Sequence, residues 1–303
     1  MRKRSTLQAL KNGAIYRALL AASAVGRRLS LAGARRNGAR FGGLAWSLLG
    51  RERRKALRNL AVAFPQRSDR ERERIGRASF RHLGASLFEI AWIPNLTPAE
   101  LERTTRIEGM DRLREAAASG RGVVLFTGHC GNWEWMCAAI GLSGIRMNVI
   151  AREIYDDRLN DFIVASRARF GVVTIGRGSA SSGKEILQTL RRGDVLGLLI
   201  DQSLKVESVA VPFFGVPAPT PVGPAKLAVR SGALAIAGFI HRDAEGVQHL
   251  RFQELVDTAV DSDPIALTAM MTRKIEEQIR SVPEQWVWMH ERWRERGKKN
   301  AAS

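Results

Sequence analysis

His129 and Glu134 stand five positions apart in the segment Thr127-Gly-His-Cys-Gly-Asn-Trp-Glu134, directly after the apolar run Val123-Val124-Leu125-Phe126. An imidazole held by a carboxylate is the minimum equipment for taking a proton from a hydroxyl nucleophile. On one continuous α-helix these positions would point roughly 140° apart and could not meet. They meet if His129 lies in the turn after a strand and Glu134 in the first turn of the next helix. Gly128 and Gly131 supply the backbone freedom such a turn needs. Asn132 is a good N-cap residue, and a carboxylate in the first turn of a helix is favoured by the helix dipole. Glu134 would then hold the His129 ring in one tautomer and stabilise its protonated form. The same spacing fits an ordinary capped helix start beside a packed histidine.

The elements that would position this pair alternate along the chain. Strand-like apolar runs occur at 123–127, 147–151, 172–175, 195–200, 233–240 and 249–253. Helix candidates lie among them at 133–140, 157–169, 183–192 and 224–230, with Pro224 placed as a first helical residue and Gly232 as a stop. Upstream, Ser68 or Asp69 can cap a helix reaching Trp92, whose Ile75, Phe80, Leu83, Leu87 and Ile90 recur at helical intervals. Thr97-Pro98 reads as a further helix start. This alternation predicts an α/β fold with a central, mostly parallel or mixed sheet flanked by helices. Ligands of such sheets gather at the carboxyl ends of strands, where His129 sits at one end and Asp201 at another. The stretch from Val211 to Pro224 holds five prolines in fourteen residues. It is expected to lack regular structure, because proline removes backbone donors. Its adjacent Phe213 and Phe214 suit either a packed connection or a pocket wall. Trp286, Trp288 and Trp293 near the end suit core packing or a membrane interface.

With 303 residues, 45% of them hydrophobic, the chain can build one large α/β domain or two small ones. Its two cysteines, Cys130 and Cys137, would lie about 10 Å apart on a helix, beyond disulfide reach. They form no metal-type cluster, so reduced thiols in a cytoplasmic setting are expected, with no metal and no cofactor. Net charge is +18. Residues 1–58 contain fifteen Lys or Arg against the single acid Glu52. Basic charge interleaved with apolar stretches suits an anionic membrane surface. Nucleic acid is the rival partner, but no zinc finger, RNP signature or basic-leucine heptad is present, so none is expected. The segment from Gly13 to Val25 is too short for a span and contains Arg17. The expected organisation is therefore a basic, helical, membrane-associating region at 1–55 and a catalytic α/β domain at 56–303. Attachment would be peripheral or monotopic.

Four segments together resemble the bacterial lipid A biosynthesis acyltransferases, the lauroyl/myristoyl group within the wider lysophospholipid acyltransferases. They are Arg58-Asn-Leu-Ala-Val-Ala-Phe-Pro65; the His-x4-acid segment from His129 to Glu134; Asp201-Gln202 followed by the proline-rich stretch from Val211; and Pro283-Glu-Gln-Trp-Val-Trp-Met-His290. The likeness spans roughly residues 40–293 and implies a glycerolipid-acyltransferase-like fold. It implies fatty acyl transfer from a thioester of acyl carrier protein, or of coenzyme A, to a hydroxyl on a membrane lipid such as a lipid A precursor. The setting would be the cytoplasmic face of the bacterial inner membrane. On this resemblance His129 is the general base and Glu134 its orienting acid. Charge on the thioester oxygen needs donors, for which Arg152, Gly131 and Asn132 are candidates, with Gln202 beside them. Asp201 would be a second carboxylate near His129, although its position reads equally as a strand-end turn. Phe213, Phe214 and Thr220 would wall the acyl or acceptor groove. Two other uses of the same features remain: a thioester or lipid hydrolase with the same pair, and a protein that only binds anionic lipid or nucleic acid. Cys130 suggests a Cys–His acyl-enzyme, but side chains on neighbouring positions diverge. Relatives commonly begin with a clear membrane-spanning or deeply inserted helix, whereas here the segment is broken by arginines.

Overall fold

In the computed structural model, residues 29–151, 157–178, 181–259 and 263–293 are described. Residues 1–28, where much of the basic segment falls, and Arg152 lie outside them.

Three helices precede the sheet: α1 (Leu31–Leu48), α2 (Gly50–Ala63) and α3 (Asp69–Trp92). The start of α3 is set by a capping box. The Ser68 hydroxyl accepts from the Glu71 amide while the Glu71 carboxylate accepts from the Ser68 amide. Helix α1 lies against α3 through glycines. A Cβ at Gly42 would run into the Phe80 carbonyl, and one at Gly38 or Gly84 into the facing backbone. The boundary expected at residue 55 falls inside α2, whose buried Asn59 donates to the carbonyls of Trp288 and His290 at the far end of the chain.

Helix α4 (Pro98–Thr104), capped by Thr97, leads into β1 (Thr105–Glu108) and α5 (Met110–Ala118). There follow β2 (Val123–Thr127), α6 (Trp133–Leu142), β3 (Met147–Ala151), α7 (Asp157–Ala168), β4 (Val172–Gly176), α8 (Ser182–Arg191) and β5 (Val195–Leu199). After a hairpin, β6 (Ser208–Phe213) and β7 (Val216–Pro221), the chain continues through α9 (Gly223–Ser231), β8 (Leu234–Arg242), β9 (Gln248–Asp257) and α10 (Pro264–Ser281). Among the described residues the main sheet has the order β1-β9-β8-β2-β5-β3-β4. All neighbours are parallel except β8 and β9. The α/β sheet flanked by helices is the architecture expected from the sequence. Strand β2 is buried along its whole length, as a central strand covered on both faces must be. Each large apolar side chain there contributes roughly 1.5–3 kcal/mol by leaving water.

The proline-rich stretch corrects its expectation, because it forms the β6–β7 hairpin. Pro212 pairs with Pro217, Ala210 with Pro219, and Ser208 with Pro221. Every strand proline thus falls on one parity. A pair of two prolines has no N–H to exchange, so this parity is the non-hydrogen-bonded one, and the intervening pairs keep the ladder. The two turn residues both have positive φ, Phe214 at 54° and Gly215 at 76°, as a tight two-residue hairpin turn demands. A phenylalanine is strained there. Its amide is held by Glu276 at 2.6 Å, and Arg280 lies 4.4 Å over its ring. Trp286 and Trp288 are buried in the core beside this hairpin, which decides between the two uses the sequence left open.

Gly42→Val is expected to lower the melting temperature, because its side chain would occupy the space of the Phe80 carbonyl and force α1 from α3. Overpacking of this kind costs about 1–3 kcal/mol. Thermal melts followed by circular dichroism check it, and an unchanged melting temperature would show that this crossing is not close-packed.

Candidate active site

Strands β2 and β5 are parallel neighbours with Thr127 opposite Leu199. His129 and Asp201 each follow by two residues, so the register alone sets them side by side. The His129 Nδ1 lies 2.7 Å from Asp201 Oδ1, and the His129 amide donates to Asp201 Oδ2 at 2.7 Å. The indole N–H of Trp286 donates to that same oxygen at 2.7 Å. With Nδ1–H spent on Asp201, Nε2 is the ring's free lone pair. Burial alone would raise the Asp201 pKa. The facing imidazole's charge, its ring and amide hydrogen bonds and the indole outweigh that, holding the carboxyl down from 3.8 to about 2.

Glu134 lies in the first turn of α6 and His129 before it, as the spacing required. Yet the carboxylate does not orient the ring. It forms a two-pronged pair with Arg167 of α7, at 2.5 and 2.9 Å. The ring is held from across the sheet, by Asp201, and the expected His129–Glu134 contact is corrected accordingly. Helical geometry carries the Glu134 side chain away along the α6 face, whereas the strand register carries Asp201 toward the ring.

His129 and Glu134 line one cavity of about 760 Å³, together with Trp133, Arg167, Arg177, Gln202 and His290. Gln202, one of the candidates from the sequence, is among its lining residues. A second, mostly apolar cavity of about 180 Å³ shares Trp133, Glu134, Cys137 and Arg167 with the first. It continues between α6 and α7 past Ala138, Phe162, Ile163 and Phe170.

Other candidates are placed elsewhere. The Gly131 amide is taken by the Gln285 carbonyl at 2.9 Å. Asn132 caps α6 by accepting from the Trp135 amide, while its Nδ2 donates to buried Glu89. Neither the Gly131 amide nor the Asn132 side chain is free to meet an oxyanion. Phe213, Phe214 and Thr220 do not wall the cavity. Phe213 packs 5.8 Å from the Trp286 ring, behind Asp201, and Phe214 packs on Phe64 and Trp288. The Thr220 hydroxyl is fully buried and accepts from Arg292. Cys130 is buried, and burial plus the nearby Asp201 push its thiol well above the usual range, unsuited to a nucleophile at neutral pH. Burial also pushes Cys137 up to about 12. Among the described residues no group of three or more His, Cys, Asp and Glu could hold a metal ion.

An imidazole backed by a carboxylate at the end of a central strand, open to a cavity that adjoins an apolar one, has the geometry for proton removal beside a lipidic chain. The model of the bacterial lipid A biosynthesis acyltransferase family matches residues 6–295. The chain belongs to this family. It is 28% identical to the lipid A biosynthesis palmitoleoyltransferase of Escherichia coli K12 over 264 residues, which are 86% of this chain and 84% of that one. The lauroyltransferase of the same organism is 28% identical over 269 residues, 86% and 85% of the two chains. A phosphatidylinositol mannoside acyltransferase of Mycobacterium tuberculosis CDC 1551 is 27% identical over 224 residues, 71% and 69%. Family membership supports an acyltransferase working on a lipid acceptor.

The sequence reading of this member missed Trp286 as the indole that holds Asp201, and Arg167 as the partner of Glu134. Neither has a local signal, since each reaches the site from a distant element.

The stabilisation from ionised Asp201 is present in full above about pH 4 and is lost as pH falls through about 2, since its folded value lies below its ordinary one. Asp201→Asn should therefore destabilise most at neutral pH, with the gap to the parent narrowing across that acid window. Denaturant melts at stepped pH check this; a gap that stays constant would contradict it.

Proposed function

We propose that this protein transfers a fatty acyl group from a thioester of acyl carrier protein or coenzyme A to a hydroxyl of a membrane lipid, with a lipid A precursor as the leading acceptor class. The observation that carries the reading is the His129–Asp201 pair, opening with its free Nε2 onto the larger cavity. Nε2 takes the proton from the acceptor hydroxyl as its oxygen attacks the thioester carbonyl. Asp201 stabilises the imidazolium that forms. The tetrahedral intermediate collapses with cleavage of the C–S bond, and the imidazolium returns the proton to the departing thiolate. Arg177, Gln202 and His290 line the cavity and are the groups we assign to polarising the carbonyl, together with Arg152 beyond β3. Glu134 keeps a supporting role, fixing Arg167 in the wall where the two cavities join.

The smaller cavity would take the end of the acyl chain. At about 180 Å³ it is comparable to an apolar cavity that accepts benzene, so it holds a few terminal carbons and not a whole chain. The outer face of α1 supports work at a lipid surface. Phe41, Leu44, Leu48 and Leu49 are exposed there, with Arg36, Arg40, Arg51 and Arg54 exposed around them. None of the described helices is long and apolar enough to cross a membrane. We place the enzyme on the cytoplasmic face of the inner membrane.

Purified protein with labelled acyl donors and lipid acceptors tests the mechanism. His129→Ala should lose about 10² to 10⁴ in rate, the usual worth of a general base, and Asp201→Asn should lose activity in the same direction. Retained transfer by His129→Ala sinks the mechanism, and free fatty acid as sole product with acceptor present would make it a hydrolase. Ala138→Phe, which fills the smaller cavity, should shift the preferred donor to shorter chains. The check is competition between donors of different length, and an unchanged preference would place the chain elsewhere.

A further inference from the structure

The turn that carries His129 is held at three points. The His129 amide is bound to Asp201, the Gly131 amide to Gln285, and the Asn132 side chain to Glu89. The first two follow from the dyad and the segment around Trp286. The third does not, and it leads out of the site. Glu89 of α3 is completely buried. Its carboxylate accepts from Arg35 of α1 at 2.5 Å, from Arg242 of β8 at 2.7 Å, from Gln248 of β9 at 3.1 Å and from Asn132 at 2.8 Å. Burial would neutralise this acid, but Arg242 and Arg35 outweigh it and hold the pKa below its usual value.

We propose that Glu89 is a positioning residue for the reaction: anchored by Arg35 and Arg242, it fixes Asn132 and thereby the turn that aims His129. Capping α6 uses only the Asn132 Oδ1, a task that Ser, Asp or Thr performs as well. The Nδ2 donor is what distinguishes Asn, and Glu89 is its partner. An aspartate here would set two carboxylates against each other. Only Cys130 and Gly131 separate Asn132 from His129. Gly131 has φ 62° and no room for a Cβ against the Ile240 carbonyl, so slack at Asn132 passes along the turn to the imidazole. A misplacement of about 1 Å can cost 10²-fold in rate. Because Arg35 supplies one of the two cations, the aim of the base depends on α1, the helix with the exposed apolar stripe. The inference rests on His129 being the base.

The test uses the full-length protein. Glu89→Gln keeps the side-chain shape and discharges the anchor; Arg35→Gln leaves Glu89 with Arg242, and covers the case in which Glu89→Gln does not fold. Both should lower kcat by about tenfold or more while KM for the acyl donor stays within about twofold, with Arg35→Lys recovering part of the loss. In parallel, proton NMR follows the downfield ring N–H of His129, assigned by its loss in His129→Gln. It should shift or broaden in both anchor variants, whatever reaction the protein catalyses. Folded variants with parental kcat and an unmoved resonance would overturn the proposal. So would activity that falls only in proportion to the folded fraction. If His129→Ala keeps full transfer activity, the base assignment fails instead, and the resonance still reports whether Glu89 aims the ring.

Discussion

The site depends on one register. Because β2 and β5 run parallel with Thr127 opposite Leu199, equal two-residue extensions deliver an imidazole and a carboxylate to one point. The sheet does this with backbone hydrogen bonds alone, one of which, from the Ile200 amide to the Thr127 carbonyl, continues the ladder past the strand end. A slip of one residue would turn His129 to the other face of the sheet. The uninterrupted burial of β2 prevents that slip, so the core that stabilises the fold also holds the geometry of the His129–Asp201 pair.

A buried carboxylate is costly unless its lone pairs are met. Asp201 is 2% exposed, and its hydrogen bonds come from both ends of this arrangement. His129 supplies two donors from the strand next door, while Trp286 supplies the third from the chain's last segment. That segment is itself tied down: the Gln285 side chain pairs with the Arg242 backbone in both directions, and Asn59 of α2 donates to the Trp288 carbonyl. The third hydrogen bond to Asp201 therefore depends on the docking of the segment around Trp286, which α2 and β8 hold in place. Contacts so far apart in sequence carry a high loop-closure cost.

What the sequence made legible follows from range. The six apolar runs became strands of the main sheet, because a short apolar run between turn residues is a local signal, and caps at Ser68, Thr97 and Asn132 are local chemistry too. The β6–β7 hairpin was illegible because proline counts do not show parity; only the pairing of Pro212 with Pro217 reveals that the missing donors face away from the ladder. His129 was legible as a candidate for proton chemistry from its place after a strand. That Asp201 would stand near it was legible through the family resemblance, and not from the spacing. Proximity along the chain favours Glu134, five residues on, over Asp201, seventy-two residues on. Nothing in the spacing says that β5 inserts between β2 and β3, and strand order is what decides between the two acids.

Glu134 is then best understood through charge. It lines the cavity into which His129 opens, where the proposed attack on a thioester would develop negative charge. A bare carboxylate at that wall would oppose such an oxyanion. Arg167 removes the problem by meeting both Glu134 oxygens, and the pair is largely shielded, with side chains 13% and 14% exposed. The pair also joins α6 to α7 at the point where the polar cavity gives way to the apolar one. On the proposed reading the two acids divide the work: Asp201, buried behind the ring, would support proton transfer, while Glu134, paired with Arg167, would shape the passage along which an acyl chain lies.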